Sequence, residues 1–400
     1  MASLPASSVP LAPLAPLTPL APAARASTHD RAVHLAGHGM VSYLGWGAQA
    51  AVDALRQAPA APALADIADG HRWPLHRLPP MPGAWQQRLA HAVCAAVAQT
   101  GLPPQASTPL FIGSSSLDMG YEEEQARTGG AGFAGDLHSF AEAVARALAW
   151  PGPVFCFSSA CTSSLQAVLA ARDWLRAGES GDALVLGVEM ENLFTPAGFG
   201  GLQLLSPERT RPFAVARDGL VLGQAVAALH LCTARTRWRL AGAANVIDGS
   251  QPTSAVPRAI EAAARGALAD AGCAPHDVHL IKPQAAGSPA NDAAEAQALH
   301  ALFGAQAVPP MIGFKPWVGH CMGASAAIEI ALLMACLDEA LWPAALPADA
   351  QPDPALHLRW AGADPAACEA VGPPEPCRVL FHSMGFGGGH GALLIEAGAA

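Results

Sequence analysis

One pattern of residues occurs twice in the chain and limits its fold more than any other feature. VFCFSSACTSSLQAVLA (154–170) and IGFKPWVGHCMGASAAIEIALL (312–333) each run from an apolar stretch through a turn to a cysteine or histidine. Both then enter an alanine-rich helix. A strand–turn–helix unit used twice, about a midpoint near 240–250, reads as an internal duplication. Around the two copies, apolar runs of parallel-strand length alternate with helical spacings. Strands are expected in 32–45, 109–113, 183–190, 220–231, 278–282, 378–384 and 391–396. Helices are expected over 136–149, 161–177, 257–271, 291–303 and 324–340, with Pro257 opening the third and Asn291 or Asp292 capping the fourth. Alternation of this kind indicates an α/β fold with sheets buried on both faces.

Composition excludes several classes. Hydrophobic residues make up 52% of the chain and charged ones 14%, so there is ample apolar surface for a large core and no case for a disordered chain. The net charge of −10, without a basic run, argues against nucleic-acid binding, which needs Lys and Arg to neutralise phosphates. No apolar stretch reaches the ~18–20 residues that cross a bilayer. The nine cysteines are odd in number, scattered and without a CxxC, so neither a disulfide framework nor a metal site is expected. Residues 1–30 carry Pro10, Pro13, Pro16, Pro19 and Pro22 at every third position, the spacing of a polyproline II ridge. With the first charge at Arg25, this segment reads as a flexible tail on a cytoplasmic protein rather than a secretory signal. The basic residues are lopsided: all are arginine except Lys282 and Lys315.

Three segments carry chemistry. In FCFSSACTSS, Cys161 lies at a strand-to-helix turn, where unpaired backbone N–H groups and the helix dipole would favour a thiolate and an oxyanion. In KPWVGHCMGASAAIE, His320 is flanked by glycines, with Lys315 before it and Glu329 on the following helix. A neutral imidazole there can donate to a developing enolate oxygen. FHSMGFGGGHG (381–391) lacks the GxGxxG spacing of a dinucleotide loop and leads into a strand, so it reads as a backbone donor with Phe386 beside a substrate.

Together ACTSS, RPFAVARDGLVLGQ (211–224), GSPANDAAEAQAL (287–299), KPWVGH and SMGFGGGH resemble the β-ketoacyl-acyl-carrier-protein synthase family, in order and over 31–396. The resemblance implies a thiolase-like fold of five αβαβα layers with two duplicated halves, here 31–242 and 243–400 after the 1–30 tail. It implies an acyl group carried on Cys161, delivered from the phosphopantetheine of an acyl carrier protein, with no cofactor of the enzyme's own. A homodimer or a ketosynthase heterodimer is the expected assembly. Cys161, His320, Lys315 and Phe386 match the family's catalytic positions, and Glu329 its supporting glutamate. Ser288, Phe213 and Gly387 fall in motifs that contact substrate.

The resemblance breaks at one place that matters. Where the family reads HGTGTxxND, this chain reads QAAGSPAND, which puts Gln284 at the first catalytic histidine and Ala286 at a threonine. Gln224 replaces a usual glutamate and His390 a usual asparagine. A primary amide cannot titrate, but it can donate a hydrogen bond. The departures leave a condensing enzyme with a Cys161–Gln284–His320 site, a non-elongating acyl transferase, or a chain-length-factor-like partner subunit. The last generally lacks the cysteine. Cys161 and His320 alone also fit a Cys-His hydrolase. Lys282, two residues before Gln284, is assigned no role beyond proximity to the altered motif, with a surface-facing strand end as the alternative.

Overall fold

The structure is a computed structural model that describes residues 31–398 apart from 69, 106, 131–136, 345 and 364–375. The proline-rich segment 1–30 and Cys368 therefore lie outside the described residues. The first half supplies strands β1 (His34–Ser42), β2 (Leu110–Gly113), β3 (Val154–Phe157), β4 (Asp182–Glu189) and β5 (Ala225–Cys232). The second supplies β6 (Trp238–Ile247), β7 (Leu280–Lys282), β8 (Cys377–Gly385) and β9 (Gly389–Ala397). Six helices build the layers: α1 (Trp85–Gln99), α2 (Leu137–Ala147), α3 (Ser163–Ala177), α4 (Pro257–Ala271), α5 (Pro289–Phe303) and α6 (Ser325–Asp338).

The duplication is visible in strand order. In the first half β1 pairs β5, β5 pairs β4, β4 pairs β2 and β2 pairs β3, the first two contacts antiparallel and the last two parallel. In the second half β6, β9, β8 and β7 follow the same order and the same directions. A parallel bridge from Ile281 to Met311 stands where the fifth strand would be. The halves join edge to edge through β1 and β6, with His34 opposite Arg239 and Leu35 opposite Trp238. The repeat thus starts at Trp238, and the expected join at 242/243 falls inside a strand, where the register shifts between Leu240 and Gly242.

Side-chain alternation along the strands sorts the layers. Leu184, Leu186 and Val188 of β4 face α1 and α2, whereas Ala183 and Val185 face inward. Ala392 and Leu394 of β9 face α4 and α5, while Leu393 and Ile395 face the same interior as Val185. That shared interior holds α3 and α6, giving helix, sheet, helix, sheet, helix: the five layers expected. Every residue of α6 from Ser325 to Leu337 is buried, as its near-uniform apolar sequence requires of a helix between two sheets.

Two local expectations are corrected. Helix α5 begins at Pro289 with Ser288 before it, because Pro289 has no N–H to satisfy and its φ suits the first turn. Asp292 instead lies inside that turn, accepting from the backbone of Phe213 (2.7 Å) and Gly287 (3.1 Å). The run 220–231 is also broken: Leu222–Gly223 pairs with Leu75–His76, and Gly223 donates to the His320 carbonyl (3.0 Å) before β5 starts at Ala225. That kink brings β5 past the His320 loop.

Candidate active site

The two repeated turns bring their cysteine and histidine to one recess. After β3 the chain reverses at Ala160, which takes a left-handed φ of +50°, a strained value for a residue with a side chain. Hydroxyls hold this elbow. Ser163 Oγ donates to the Ala160 carbonyl (2.6 Å) and accepts from Ser159 N (3.0 Å), and Thr162 Oγ1 donates to the Ser159 carbonyl (2.8 Å). Cys161 is thereby fixed just before α3. The β8–β9 hairpin lies across it. A Cβ on Gly385 would sit 3.1 Å from Thr162 N and 3.2 Å from Cys161 N, so a side chain there would crowd the turn. The approach aims the Phe386 N–H at the Cys161 sulfur.

Cys161 is a thiol here rather than the expected thiolate. Burial pushes the Cys161 thiol up to about 12, and the nearby Glu189 carboxylate adds to the shift. The N–H groups of Phe386 and Cys161, with Lys315, pull the other way but are outweighed. A helix N-terminus favours a thiolate less than removal from water disfavours it here. Glu189 closes β4 and accepts from Ser115 Oγ (2.6 Å), Gly323 N (3.2 Å) and the backbone of Ser115. Burial nevertheless raises its carboxyl above the usual range.

His320 follows Gly319, whose φ of +73° turns the chain so that His320 N reaches the Val221 carbonyl (2.7 Å). Ser325 Oγ lies 3.2 Å from Nδ1, which leaves Nε2 for the recess. Burial first, then the charges of Lys315 and Lys282 against that of Glu329, push the imidazole down to about 3, so the ring is neutral. Behind it lies a feature the sequence reading missed. Lys315 Nζ donates to Glu329 Oε1, and Lys282 Nζ donates to Glu329 Oε2. Both lysines are 1% exposed and Glu329 is 2% exposed. Lys282 is therefore a core residue rather than a surface-facing strand end. Its ammonium also lies 3.8 Å from the Phe381 ring centroid.

Gln284 sits opposite. Its Oε1 accepts from Met384 N (3.2 Å) and its Nε2 donates to the Met384 carbonyl (3.2 Å), so the side-chain amide pairs with β8 as a strand residue would. Its backbone N donates to Glu295 Oε1 (2.8 Å), which also meets His382 Nδ1 (3.2 Å). His390 donates through Nδ1 to the Gly388 carbonyl (2.8 Å) and accepts through Nε2 from Val256 N (3.1 Å).

Cys161, Gln284, His320, Met384, Phe386 and His390 line one narrow recess, together with Ala286. The Phe386 ring closes part of it, stacked on Phe199 at 5.4 Å and 12°. Phe199 belongs to the short helix Phe194–Gly201 and was also missed: a glycine-rich apolar segment carries no catalytic residue type to flag it. Three expected substrate contacts are not among the recess's lining. Phe213 is buried against Trp360 (5.8 Å), because its backbone is anchored on Asp292. Ser288 is half-buried ahead of α5. Gly387 is exposed on the outer side of the hairpin tip, facing a groove shared with Cys156 and Thr162. Glu329 acts from beneath the recess rather than within it.

Comparison with known proteins gives the family and the fold. Residues 84–237 match the family model of the beta-ketoacyl synthase N-terminal domain, and 239–349 that of its C-terminal domain. The chain belongs to the beta-ketoacyl synthase family. It is 33% identical over 221 residues to Nodulation protein E of Rhizobium sp. (strain N33), covering 52% of this chain and 55% of that protein. It is 29% identical over 341 residues to Erythronolide synthase EryA2 of Saccharopolyspora erythraea, covering 79% of this chain and 10% of that one. The match therefore spans about half the length of the first relative, and a small part of the second. Among solved structures, the ketosynthase ApeO in complex with its chain length factor ApeC from Xenorhabdus doucetiae gives a TM-score of 0.77 at 22% identity, covering 92% of this chain and 98% of that one. A beta-ketoacyl synthase from Burkholderia phymatum STM815 gives 0.75 at 21% identity, covering 92% and 100%. Both share the thiolase-like fold.

Proposed function

We propose that this chain is a condensing acyltransferase: it takes an acyl group onto Cys161 from an acyl carrier protein and joins it to a malonyl thioester. The pairing of the Gln284 amide with Met384 carries the reading. It occupies the amide oxygen and one of the two Nε2–H bonds, leaving a single, oriented N–H beside the recess.

In the first half-reaction Cys161 sulfur attacks the thioester carbonyl. The oxygen takes up negative charge against the N–H groups of Cys161 and Phe386, and the thiol proton leaves on the departing pantetheine sulfur. Because the resting group is a thiol, proton loss and attack are coupled. In the second, the malonyl thioester loses CO₂, and the enolate oxygen is held by neutral His320 Nε2–H and the free Gln284 N–H. The enolate carbon attacks the Cys161 thioester, a carbon–carbon bond forms as the carbon–sulfur bond breaks, and the freed sulfur takes a proton from solvent. One preorganised donor of this kind contributes about 2.7–4 kcal/mol to the barrier.

A second reading, non-elongating acyl transfer, is favoured by Gln284 standing where a titratable group is expected. Intact Cys161 disfavours a partner subunit without catalysis. The open edge of β3, with Cys156 exposed and Phe155 and Phe157 half-exposed, supports pairing with a second ketosynthase-type chain. We place the reaction in polyketide or fatty acid biosynthesis, in the cytoplasm. No helix among the described residues is long and apolar enough to cross a membrane. The test is intact-mass analysis after acyl-carrier protein and then malonyl-carrier protein are added. Acylation that is lost in Cys161→Ala, followed by a ketoacyl product, supports condensation. Acylation without product supports acyl transfer. Release of free acid without the malonyl partner supports a hydrolase.

A further inference from the structure

A chain with 22 basic residues uses arginine for all but two, and both lysines converge on a single buried carboxylate. One ammonium on Glu329 would make a neutral pair. The second leaves the cluster with a surplus positive charge, enclosed in the core directly behind His320. Burying such a surplus is unfavourable, and an apolar side chain in place of one lysine would avoid it. Lys282 is also placed between two parts of the site. It ends β7, two residues before Gln284, while Glu329 lies on α6, the helix that follows His320. Phe381 of β8 covers its ammonium, and Glu295, which holds the Gln284 backbone, acts on it electrostatically.

Resting on the condensing reading above, we propose that Lys282 is a positioning residue for the decarboxylation step. By sharing Glu329 with Lys315 it adds to the positive charge behind His320, a ring that burial already keeps neutral, and it ties the strand carrying Gln284 to the helix behind His320. An arginine would not serve both purposes. Its planar fork would take both carboxylate oxygens and displace Lys315. The charged and titratable groups facing Lys282 are Glu329 and Lys315 from the α6 side, Glu295 from α5, and His320 at the recess. The same burial that isolates Lys282 from water lowers its ammonium to about 8, with Lys315 adding to the shift and Glu329 opposing it.

The experiment compares the native protein with Lys282→Met and Lys282→Arg, each first checked by thermal melting for a folded state. Cys161 acylation and malonyl-thioester decarboxylation are measured as functions of pH. In Lys282→Met, decarboxylation is expected to fall about ten-fold more than acylation, and its acid limb to move toward neutral pH. Lys282→Arg is expected to keep the native acid limb while losing rate. Equal losses in both half-reactions, or an unmoved acid limb in Lys282→Met, would mean that the lysine only supports the fold and would overturn the proposal. If the native protein does not decarboxylate malonyl thioester, the condensing reading fails by itself. The His320 ring nitrogens, followed by NMR during acid titration, then read Lys282 alone. A ring that takes a proton at higher pH in Lys282→Met upholds the electrostatic role, and a ring that titrates as in the native protein overturns it.

Discussion

The two repeats share a strand order and a strand–turn–helix unit, yet they prepare their turns for chemistry in different ways. The Cys161 turn is held by neutral groups: hydroxyls of Thr162 and Ser163 staple the elbow, and backbone N–H groups face the sulfur. The His320 turn is backed by formal charges, two ammonium groups on one carboxylate, beneath a helix with no exposed residue from Ser325 to Leu337. A nucleophile must be reached by a large acyl thioester, so the groups that hold its turn are hydroxyls and amides, and the charges of Glu189 and Lys315 act on it from neighbouring elements. A neutral donor needs only to stay neutral, and burial secures that, with the positive charge behind it adding to the effect.

This contrast can be broken from either side. The largest effect belongs to the first half: Cys161→Ala abolishes acylation, read as loss of the acyl mass adduct. On the second half, His320→Ala lowers malonyl decarboxylation by about 10²–10⁴-fold and leaves a measurable acyl adduct on Cys161. Glu329→Gln tests the charge cluster itself, because it strands two buried ammonium groups. A loss of about 3–5 kcal/mol in chemical denaturation is expected. The deficit should shrink as pH rises, since Lys282 is already lowered in the folded protein and sheds its proton before the unfolded chain does. Ser163→Ala removes one staple from the elbow and is expected to cost about 1–2 kcal/mol, with a smaller fall in acylation rate. The pH dependences differ too. With the Cys161 thiol raised to about 12, iodoacetamide labelling of Cys161 should climb with pH through pH 9 without a plateau. With His320 lowered to about 3, neither half-reaction should show a limb in the ordinary imidazole range.

How much of this was legible in the sequence depends on how far each signal reaches along the chain. The duplication and the Cys161 and His320 turns announce themselves locally, because glycines, small hydroxyl residues and an alanine-rich helix are contiguous in each. Helix α1 was not foreseen, although its buried face carries Trp85, Leu89, Val93 and Val97 at four-residue spacing beside Ala92 and Ala96. The thiolate expectation failed because the helix terminus is written in the sequence whereas the loss of water around Cys161, and Glu189 from another strand, are not. Lys282 was misplaced for the same reason, since its partner lies 47 residues away on α6. Gln284 was found only through a motif, and its function turns on Met384, 100 residues further along. Phe213 was assigned to substrate by its motif, while its packing partner Trp360 lies in the other half.

The central claim is that Gln284, oriented by Met384, lets this site condense rather than merely transfer. The most direct measurement is the mass of the carrier-bound product after Cys161-acylated protein meets malonyl-carrier protein. A β-ketoacyl thioester two carbons longer than the loaded acyl group, diminished in Gln284→Glu, is the predicted result. An acyl group that stays on Cys161, or returns unchanged to the carrier while the malonyl thioester remains intact, would contradict it.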